Sequence, residues 1–163
     1  MKKKEILQAK LLTGDGLKRQ LAVWRFKGMH IVFTNGCFDI LHLGHIDYLS
    51  KAADLGDKLI IGLNTDSSVQ RLKGPGRPIN DQDARALSLA ALQFVDAVVL
   101  FDEDTPKELI ETVQPDVLVK GADYKAEDIV GYDTVKARKG AIVTIELVPG
   151  YSTTDLIKKL QES

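Results

Sequence analysis

The chain is poor in cysteine, in long apolar runs and in charge of one sign, and each shortage excludes a class of protein. Cys37 is the one cysteine among 163 residues, so no intramolecular disulfide can form and a reducing cytoplasm is the expected compartment. No stretch of about 20 apolar residues occurs, which argues against a membrane span. Because 22 Lys and Arg residues nearly balance 23 Asp and Glu residues, we expect neither nucleic acid nor a membrane surface as partner.

Histidine is also scarce, and its placement is uneven. Of three histidines, two flank a glycine in the run His42-Leu43-Gly44-His45. The residues before this run, 31–33, have the β-branched and aromatic character of a buried strand, and Asn35-Gly36 favours a turn. A helical pattern opens near Leu43. The histidines therefore lie between a strand and a helix, which is where α/β folds bind phosphate.

The chemistry of such a turn follows from its residue types. A helix N-terminus carries free N–H groups and the positive end of the helix dipole, so it favours an anion, and Gly44 lets that anion approach closely. Imidazoles at positions i and i+3 share one side of the first turn and can stabilise negative charge developing on phosphorus. The alternative is that one histidine caps or packs and the other is a surface residue. Two of three histidines in one turn favour a functional role.

The rest of the chain alternates strands and helices and predicts an open parallel sheet of five strands with helices on both faces. After the first strand, we expect strands at residues 58–63, 96–101, 117–119 and 142–147, and helices at 43–55, 67–72, 80–92, 105–113, 126–139 and 155–160. The predicted helix at 80–92 has Asn80 as its N-cap. Residues 71–78 form a basic loop rich in Gly and Pro.

Residues 4–27 predict one or two helices, interrupted at residues 13–16, that precede the sheet. We therefore divide the chain into an N-terminal helical extension, residues 1–28, and one domain, residues 29–163. The extension covers a sheet edge or forms a dimer contact, and we expect a homodimer or higher homo-oligomer. By its length, the chain is expected to act alone, without a second catalytic domain.

The run G-C-F-D-I-L-H-L-G-H resembles the H-x-G-H signature of the cytidylyltransferase-like nucleotidyltransferases. These Rossmann-like proteins join a nucleoside triphosphate to a phosphorylated small molecule and release pyrophosphate. The further runs N-T-D-S-S-V-Q-R-L-K-G-P-G-R-P, F-D-E-D-T-P, P-D-V-L-V-K-G-A-D-Y and P-G-Y-S-T-T resemble the adenylyltransferase branch that acts on D-glycero-β-D-manno-heptose 1-phosphate in lipopolysaccharide precursor synthesis. The resemblance covers residues 31–160 and implies ATP and a sugar 1-phosphate as substrates.

The residue patterns and the resemblance together give a set of candidate site residues. The predicted catalytic residues are His42, His45 and Lys73; the nucleotide site comprises Gly36, Cys37, Phe38, Gly44, Arg85, Gly121, Gly150, Ser152, Thr153 and Thr154; the substrate phosphate meets Asp39, Arg71, Arg77, Lys120 and Asp123. Mg²⁺ is expected with ATP, and no side-chain cluster predicts a separate metal site. Asp39 either helps to hold this ion or ties the turn.

One departure from a motif of the wider family bears on which nucleotide base the site accepts. Cytidylyltransferases of this kind show R-T-x-G-x-S-T-T, whereas this chain has L-V-P-G-Y-S-T-T, with Leu147 at the arginine position. Loss of that five-donor cation argues for ATP over CTP. Two alternatives stay open: a cytidylyltransferase acting on glycerol 3-phosphate or another small alcohol phosphate, and a nucleotide-binding module without catalysis.

Overall fold

A computed structural model describes residues 1–163. The helices are α1 (Lys3–Gln8), α2 (Gly14–Phe26), α3 (Leu43–Ala53), α4 (Asp66–Lys73), α5 (Gln82–Ala90), α6 (Lys107–Val113), α7 (Tyr132–Ala137) and α8 (Thr153–Gln161), and a 3₁₀ turn covers Ala126–Asp128. The strands are β1 (Ile31–Gly36), β2 (Lys58–Asn64), β3 (Ala97–Phe101), β4 (Val117–Gly121) and β5 (Ala141–Ile145). No helix is both long enough and apolar enough to cross a bilayer.

The five strands form one parallel sheet in the order β3-β2-β1-β4-β5. The predicted Rossmann-like α/β fold is thus confirmed. The chain moves outward from β1 to β2 and β3, then returns to the centre and continues through β4 to β5. Ligands of open α/β sheets bind at such a reversal, beyond the carboxyl ends of the two central strands. This topology places the ends of β1 and β4 side by side.

Alternation along the strands divides the core between the two faces of the sheet. In β1, Ile31 and Phe33 face one way and Val32 the other, and all three are fully buried. The Val32 side packs against α3 and α5, and the Ile31 side packs against α2, α6 and α7. Burying a large apolar side chain contributes about 1.5–3 kcal/mol, so these two layers hold the ends of the strands in place.

The N-terminal segment joins both a face and an edge of the sheet. Helix α2 buries Leu17, Leu21 and Trp24 in the same cluster as β1 and β2 residues. Between α1 and α2, the Leu12 N–H donates to the Val98 carbonyl at 3.0 Å, and the Val98 N–H donates to the Lys10 carbonyl at 2.9 Å. The segment therefore covers the outer edge of β3, as one of the two interpretations of the sequence expects. Edge strands left open are prone to pairing with other chains.

Several local predictions are wrong. Asn35-Gly36 is the end of β1 and not a turn, because parallel pairing with Gly62 and Leu63 extends the strand. The N-cap of α5 is Asp81, which accepts from the Ala84 N–H at 2.8 Å. The expected helix at 126–139 is a 3₁₀ turn followed by α7, and the interruption at 13–16 is largely the first turn of α2.

Candidate active site

A cleft of about 660 Å³ lies beyond the carboxyl ends of β1 and β4. Two helix N-termini open into it: that of α3, which carries Gly44 and His45, and that of α8, which carries Ser152, Thr153 and Thr154. Ser152 caps α8 by accepting from the Asp155 N–H at 3.0 Å. Each terminus supplies free N–H groups and a positive dipole end, so the cleft is suited to a polyphosphate.

The two histidines lie together at the start of α3. His42 is the N-cap, and its Nδ1 accepts from the His45 N–H at 3.4 Å. The two rings stack with centroids 3.8 Å apart and planes 21° apart. Because Nδ1 of His42 accepts, its ring N–H is at Nε2, and both residues line the cleft. The predicted pairing of the histidines on one side of the first turn is what the structure has.

The surroundings of both histidines disfavour the charged imidazolium form. Burial lowers the pKa of His42, and burial together with the neighbouring His42 lowers the pKa of His45 to about 4. The Ile40 carbonyl opposes this second shift, yet Nδ1 of His45 has no hydrogen-bond partner. The other buried polar atom without a partner is Oδ1 of Asn35, a residue that lines the same cleft. Most buried polar atoms are paired, so these two are exceptions within one site.

The depressed pKa of His45 predicts how stability depends on pH. The folded state disfavours protonation of the ring, whereas the unfolded chain protonates it below a pKa near 6.5. Above that pH both states hold the neutral ring, so the unfolding free energy is at its full value there. Between pH 6.5 and 4 the unfolded chain binds more protons, so the unfolding free energy falls, by at most about 1.4 kcal/mol per pH unit before solvent screening. Thermal melts of the parent and H45Q across this range test it. Parallel pH dependences of the two proteins would contradict the assignment.

Two glycines make room for the aromatic side chains of this turn. A Cβ on Gly44 would lie 3.0 Å from the His42 ring, and a Cβ on Gly36 would lie 2.9 Å from the Phe38 ring. Phe38 itself adopts a left-handed backbone conformation, φ 44°, and its buried ring meets His45 edge-on at a centroid distance of 5.2 Å. Non-glycine residues rarely adopt this conformation, and those that do cluster at functional sites.

Asp39 ties the turn after β1 to the loop before α5. Its carboxylate is almost fully buried and accepts from Arg77 Nε at 2.9 Å, from the Ile79 N–H at 2.8 Å and from the Asn80 N–H at 2.9 Å. Burial alone would raise the pKa of Asp39, but the N–H groups of Asn80 and Ile79 and the Arg77 guanidinium outweigh it and lower the pKa. With its oxygens engaged, Asp39 has little capacity left for Mg²⁺ or substrate.

The cations that line the cleft differ in whether a carboxylate already pairs with them. Arg77 is paired with Asp39, whereas Lys73, at the end of α4, and Lys120, near the end of β4, form no ion pair. Burial lowers the pKa of Lys120, although the carboxylate of Asp123 opposes this, and its Nζ lies 5.4 Å from the centre of the Tyr124 ring. Lys73 and Lys120 are therefore the cations best able to contact phosphate groups.

Cys37 lies in the cleft but is a poor nucleophile. Burial raises the pKa of its thiol, against the lowering effect of Lys73, Arg85 and Arg77. Its Sγ lies 3.9 Å from Oδ1 of Asn64. Because the thiolate is the reactive form, a raised pKa argues against a covalent cysteine intermediate.

Most predicted site residues line the cleft, and three do not. Those that line it are Gly36, Cys37, Phe38, Asp39, His42, Gly44, His45, Lys73, Arg77, Lys120, Gly121, Asp123, Ser152, Thr153 and Thr154. Contrary to expectation, Arg71 belongs to α4 and pairs with Asp102 and Asp104, with its Nε 3.1 Å from Asp104 Oδ1. Gly150 shapes the turn before α8 with φ 81° and does not line the cleft.

Arg85 is the third predicted site residue that lies elsewhere. It is 1% exposed, beneath the cleft, and it donates to the carbonyls of Cys37, Asn64 and Asn80 at 2.8–3.0 Å and to Asp66 Oδ1 at 2.7 Å. Its guanidinium is occupied by protein groups, so Arg85 supports the cleft from below.

Sequence reasoning also missed some lining residues. Asn35, Asp104, Tyr124 and Tyr151 all line the cleft. Tyr151 had a usable signal, since it stands within P-G-Y-S-T-T directly before a helix cap. Asp104 stands within F-D-E-D-T-P, but only the strand order shows that the residues after β3 lie at this end of the sheet.

Comparison with known proteins places this site in a family. A model of the cytidylyltransferase-like family matches residues 33–159. The bifunctional protein HldE of Nitrobacter hamburgensis is 56% identical over 145 residues, which are 89% of this chain and 30% of that protein. HldE of Wolinella succinogenes is 54% identical over 156 residues, 96% of this chain and 32% of its own length. The chain thus spans about a third of the length of these curated relatives.

A solved structure agrees in fold. The crystal structure of the lipopolysaccharide core biosynthesis protein from Thermoplasma volcanium is 32% identical, with a TM-score of 0.60, and the match covers 74% of this chain and 98% of that one.

Proposed function

Since the chain belongs to the cytidylyltransferase-like family, we propose that it transfers an adenylyl group from ATP to D-glycero-β-D-manno-heptose 1-phosphate and releases pyrophosphate. The observation that carries the proposal is the stacked pair His42 and His45 at a helix N-terminus, in a cleft that also contains a second helix N-terminus and two unpaired lysines. Such a site offers donors to a polyphosphate from several sides.

The reaction is an in-line displacement at the α-phosphorus. An oxygen of the sugar phosphate attacks, the bond to the pyrophosphate oxygen breaks, and no covalent enzyme intermediate forms. A phosphate monoester has its second pKa near 6, so it is a nucleophile at neutral pH without a general base. Cys37 is the one thiol in the cleft, and burial raises its pKa, in keeping with this route.

Catalysis is then positioning and charge stabilisation. We assign His42 and His45 to the α-phosphate, where their ring N–H groups stabilise the charge of the transition state. Lys73 and the N-terminus of α8 hold the remaining phosphates, and Lys120 meets the sugar phosphate. Mg²⁺ enters with ATP as part of the substrate. No group of three or more His, Cys, Asp or Glu side chains forms a metal site, and Asp39 is engaged elsewhere.

Two observations support the choice of substrates. Leu147 lines the cleft and is 53% exposed, so the departure from the cytidylyltransferase motif falls within the site, where it removes a cation from the nucleotide region. The Thermoplasma relative is named for lipopolysaccharide core biosynthesis, which is the pathway that the heptose resemblance implies. We place the reaction in the cytoplasm and propose a homodimer.

A substrate panel tests the proposal. The purified chain is incubated with Mg²⁺ and each of ATP, CTP, GTP and UTP, combined with heptose 1-phosphate, glycerol 3-phosphate and other sugar 1-phosphates, and pyrophosphate release is measured. We expect turnover with ATP and heptose 1-phosphate to exceed every other pair by tenfold or more, as a site built around one substrate's polar groups requires. Turnover with CTP alone would instead identify a cytidylyltransferase. Nucleotide binding without turnover on any acceptor would identify a non-catalytic module.

A further inference from the structure

A row of four aromatic rings runs through the candidate active site, and Tyr151 forms its outer end. Phe38 meets His45 edge-on, His45 stacks on His42, and His42 in turn stacks on Tyr151 with centroids 6.5 Å apart and planes 28° apart. The inner end of the row is fixed because Phe38 is buried. The outer end is 47% exposed and lines the cleft.

The Tyr151 contact joins the starts of α3 and α8. Tyr151 directly precedes Ser152, the N-cap of α8, while His42 is the N-cap of α3. The two helix starts approach closely because Gly44 has no side chain: a Cβ there would lie 3.3 Å from the Tyr151 Cβ. One aromatic contact therefore bears on both helix N-termini that face the cleft.

Little else holds the C-terminal segment in place. No hydrogen bond or ion pair joins residues 147–163 to residues 1–145, and no residue of α8 is buried. Segments with few buried contacts and no hydrogen bonds to their surroundings open most easily. The position of Ser152, Thr153 and Thr154 relative to the histidines thus depends on a few side-chain contacts, of which the Tyr151 stack is the one nearest the histidines.

We infer that Tyr151 is a positioning residue for the reaction proposed above. Its ring lies 6.5 Å from that of His42 with planes 28° apart, so it limits how far the imidazole can turn from the orientation that caps α3 and stacks on His45. The same contact holds the N-terminus of α8 against that of α3. The aromatic ring carries this role and the hydroxyl does not, because no hydrogen bond involves the Tyr151 hydroxyl. The expected effect on turnover rests on the proposed function, whereas the expected effect on the surroundings of His42 does not.

Three variants of Tyr151 and one control test the inference kinetically. Aromatic pairs contribute about 0.5–1.5 kcal/mol, which corresponds to about twofold to tenfold in rate. We expect Y151A and Y151L each to lower kcat by about fivefold to tenfold, with the KM for the sugar phosphate unchanged, and Y151F to retain the parent kcat. Y151L keeps the apolar bulk, so it separates ring stacking from folding. L160A, at an exposed position on the same helix, is expected to match the parent.

A second readout does not depend on turnover. Ring signals of His42 in NMR spectra report its surroundings directly, and removal of the neighbouring ring in Y151L is expected to shift them while the His30 signals stay in place. If the parent turns over no substrate pair, the proposed function fails, and these signals still decide whether Tyr151 orders His42. Unchanged His42 signals in Y151L, or a Y151L kcat equal to that of L160A, would overturn the inference.

Discussion

Alanine at position 45 is expected to lower kcat by about a hundredfold or more, and alanine at position 42 to do the same, since that is the scale of losing one transition-state donor from an oxyanion-type site. The affinity for ATP should change much less, because two helix N-termini and Lys73 remain to bind the triphosphate. Steady-state kinetics give kcat, and calorimetric titration with ATP gives the dissociation constant. The two effects should not add, because the rings stack and act on one phosphate.

Two further variants separate chemistry from folding. His42 is also a helix cap, and loss of a cap costs about 0.5–2 kcal/mol, so H42A alone is ambiguous. In H42N the asparagine retains a capping acceptor and removes the ring, so it should fold like the parent and still lose turnover. H30A is the matched control for histidine loss, because His30 lies before β1, at the opposite end of the sheet, beside Asp57. Near-parent rates in both H42N and H45A would remove the histidines from the mechanism.

The part of this site that the sequence predicts is the part formed by neighbours in the chain. His42 and His45 lie three residues apart, so a helical turn alone brings them together, and the strand before them locates the turn in the sheet. Ser152 caps α8 for an equally local reason. The strands were predictable because runs such as residues 59–63 carry no polar side chain, which is typical of strands buried on both faces.

The residues that the sequence misplaces are those whose surroundings come from distant segments. Arg71 was expected to reach substrate phosphate, but the residues after β3 bring Asp102 and Asp104 beside it. The pair that Asp39 forms with Arg77 spans 38 positions in the sequence. Local patterns carry no information about such partners. The same limit explains Tyr151, since its role depends on two helix starts that only the folded sheet brings together.

Arg85 shows this limit most clearly, because most of its partners lie far away in the sequence. Of the substitutions proposed here, its replacement should lower the free energy of unfolding the most. The guanidinium joins the Cys37 carbonyl after β1 and the Asn64 carbonyl at the end of β2 to the Asn80 carbonyl before α5, and it pairs with Asp66. Arg85→Leu would leave three carbonyls without this donor, while Asp66, 41% exposed, can be solvated. We expect a loss of about 3 kcal/mol or more, and hence a fall in Tm of about 6–12 °C for a domain of this size. Thermal melting followed by calorimetry measures the change in Tm.

Matched variants show whether the effect comes from the buried network. Arg19→Leu removes an exposed arginine from the middle of α2, so it should melt close to the parent. Arg85→Lys keeps the charge but has fewer donors and no planar fork, so we expect an intermediate Tm. Because the Cys37 carbonyl belongs to the turn that leads to the histidines, kcat should fall in both Arg85 variants even below their melting temperatures. If Arg85→Leu melts with Arg19→Leu, the network does not hold the cleft, and Arg85 must be reconsidered as a residue that moves to meet the nucleotide.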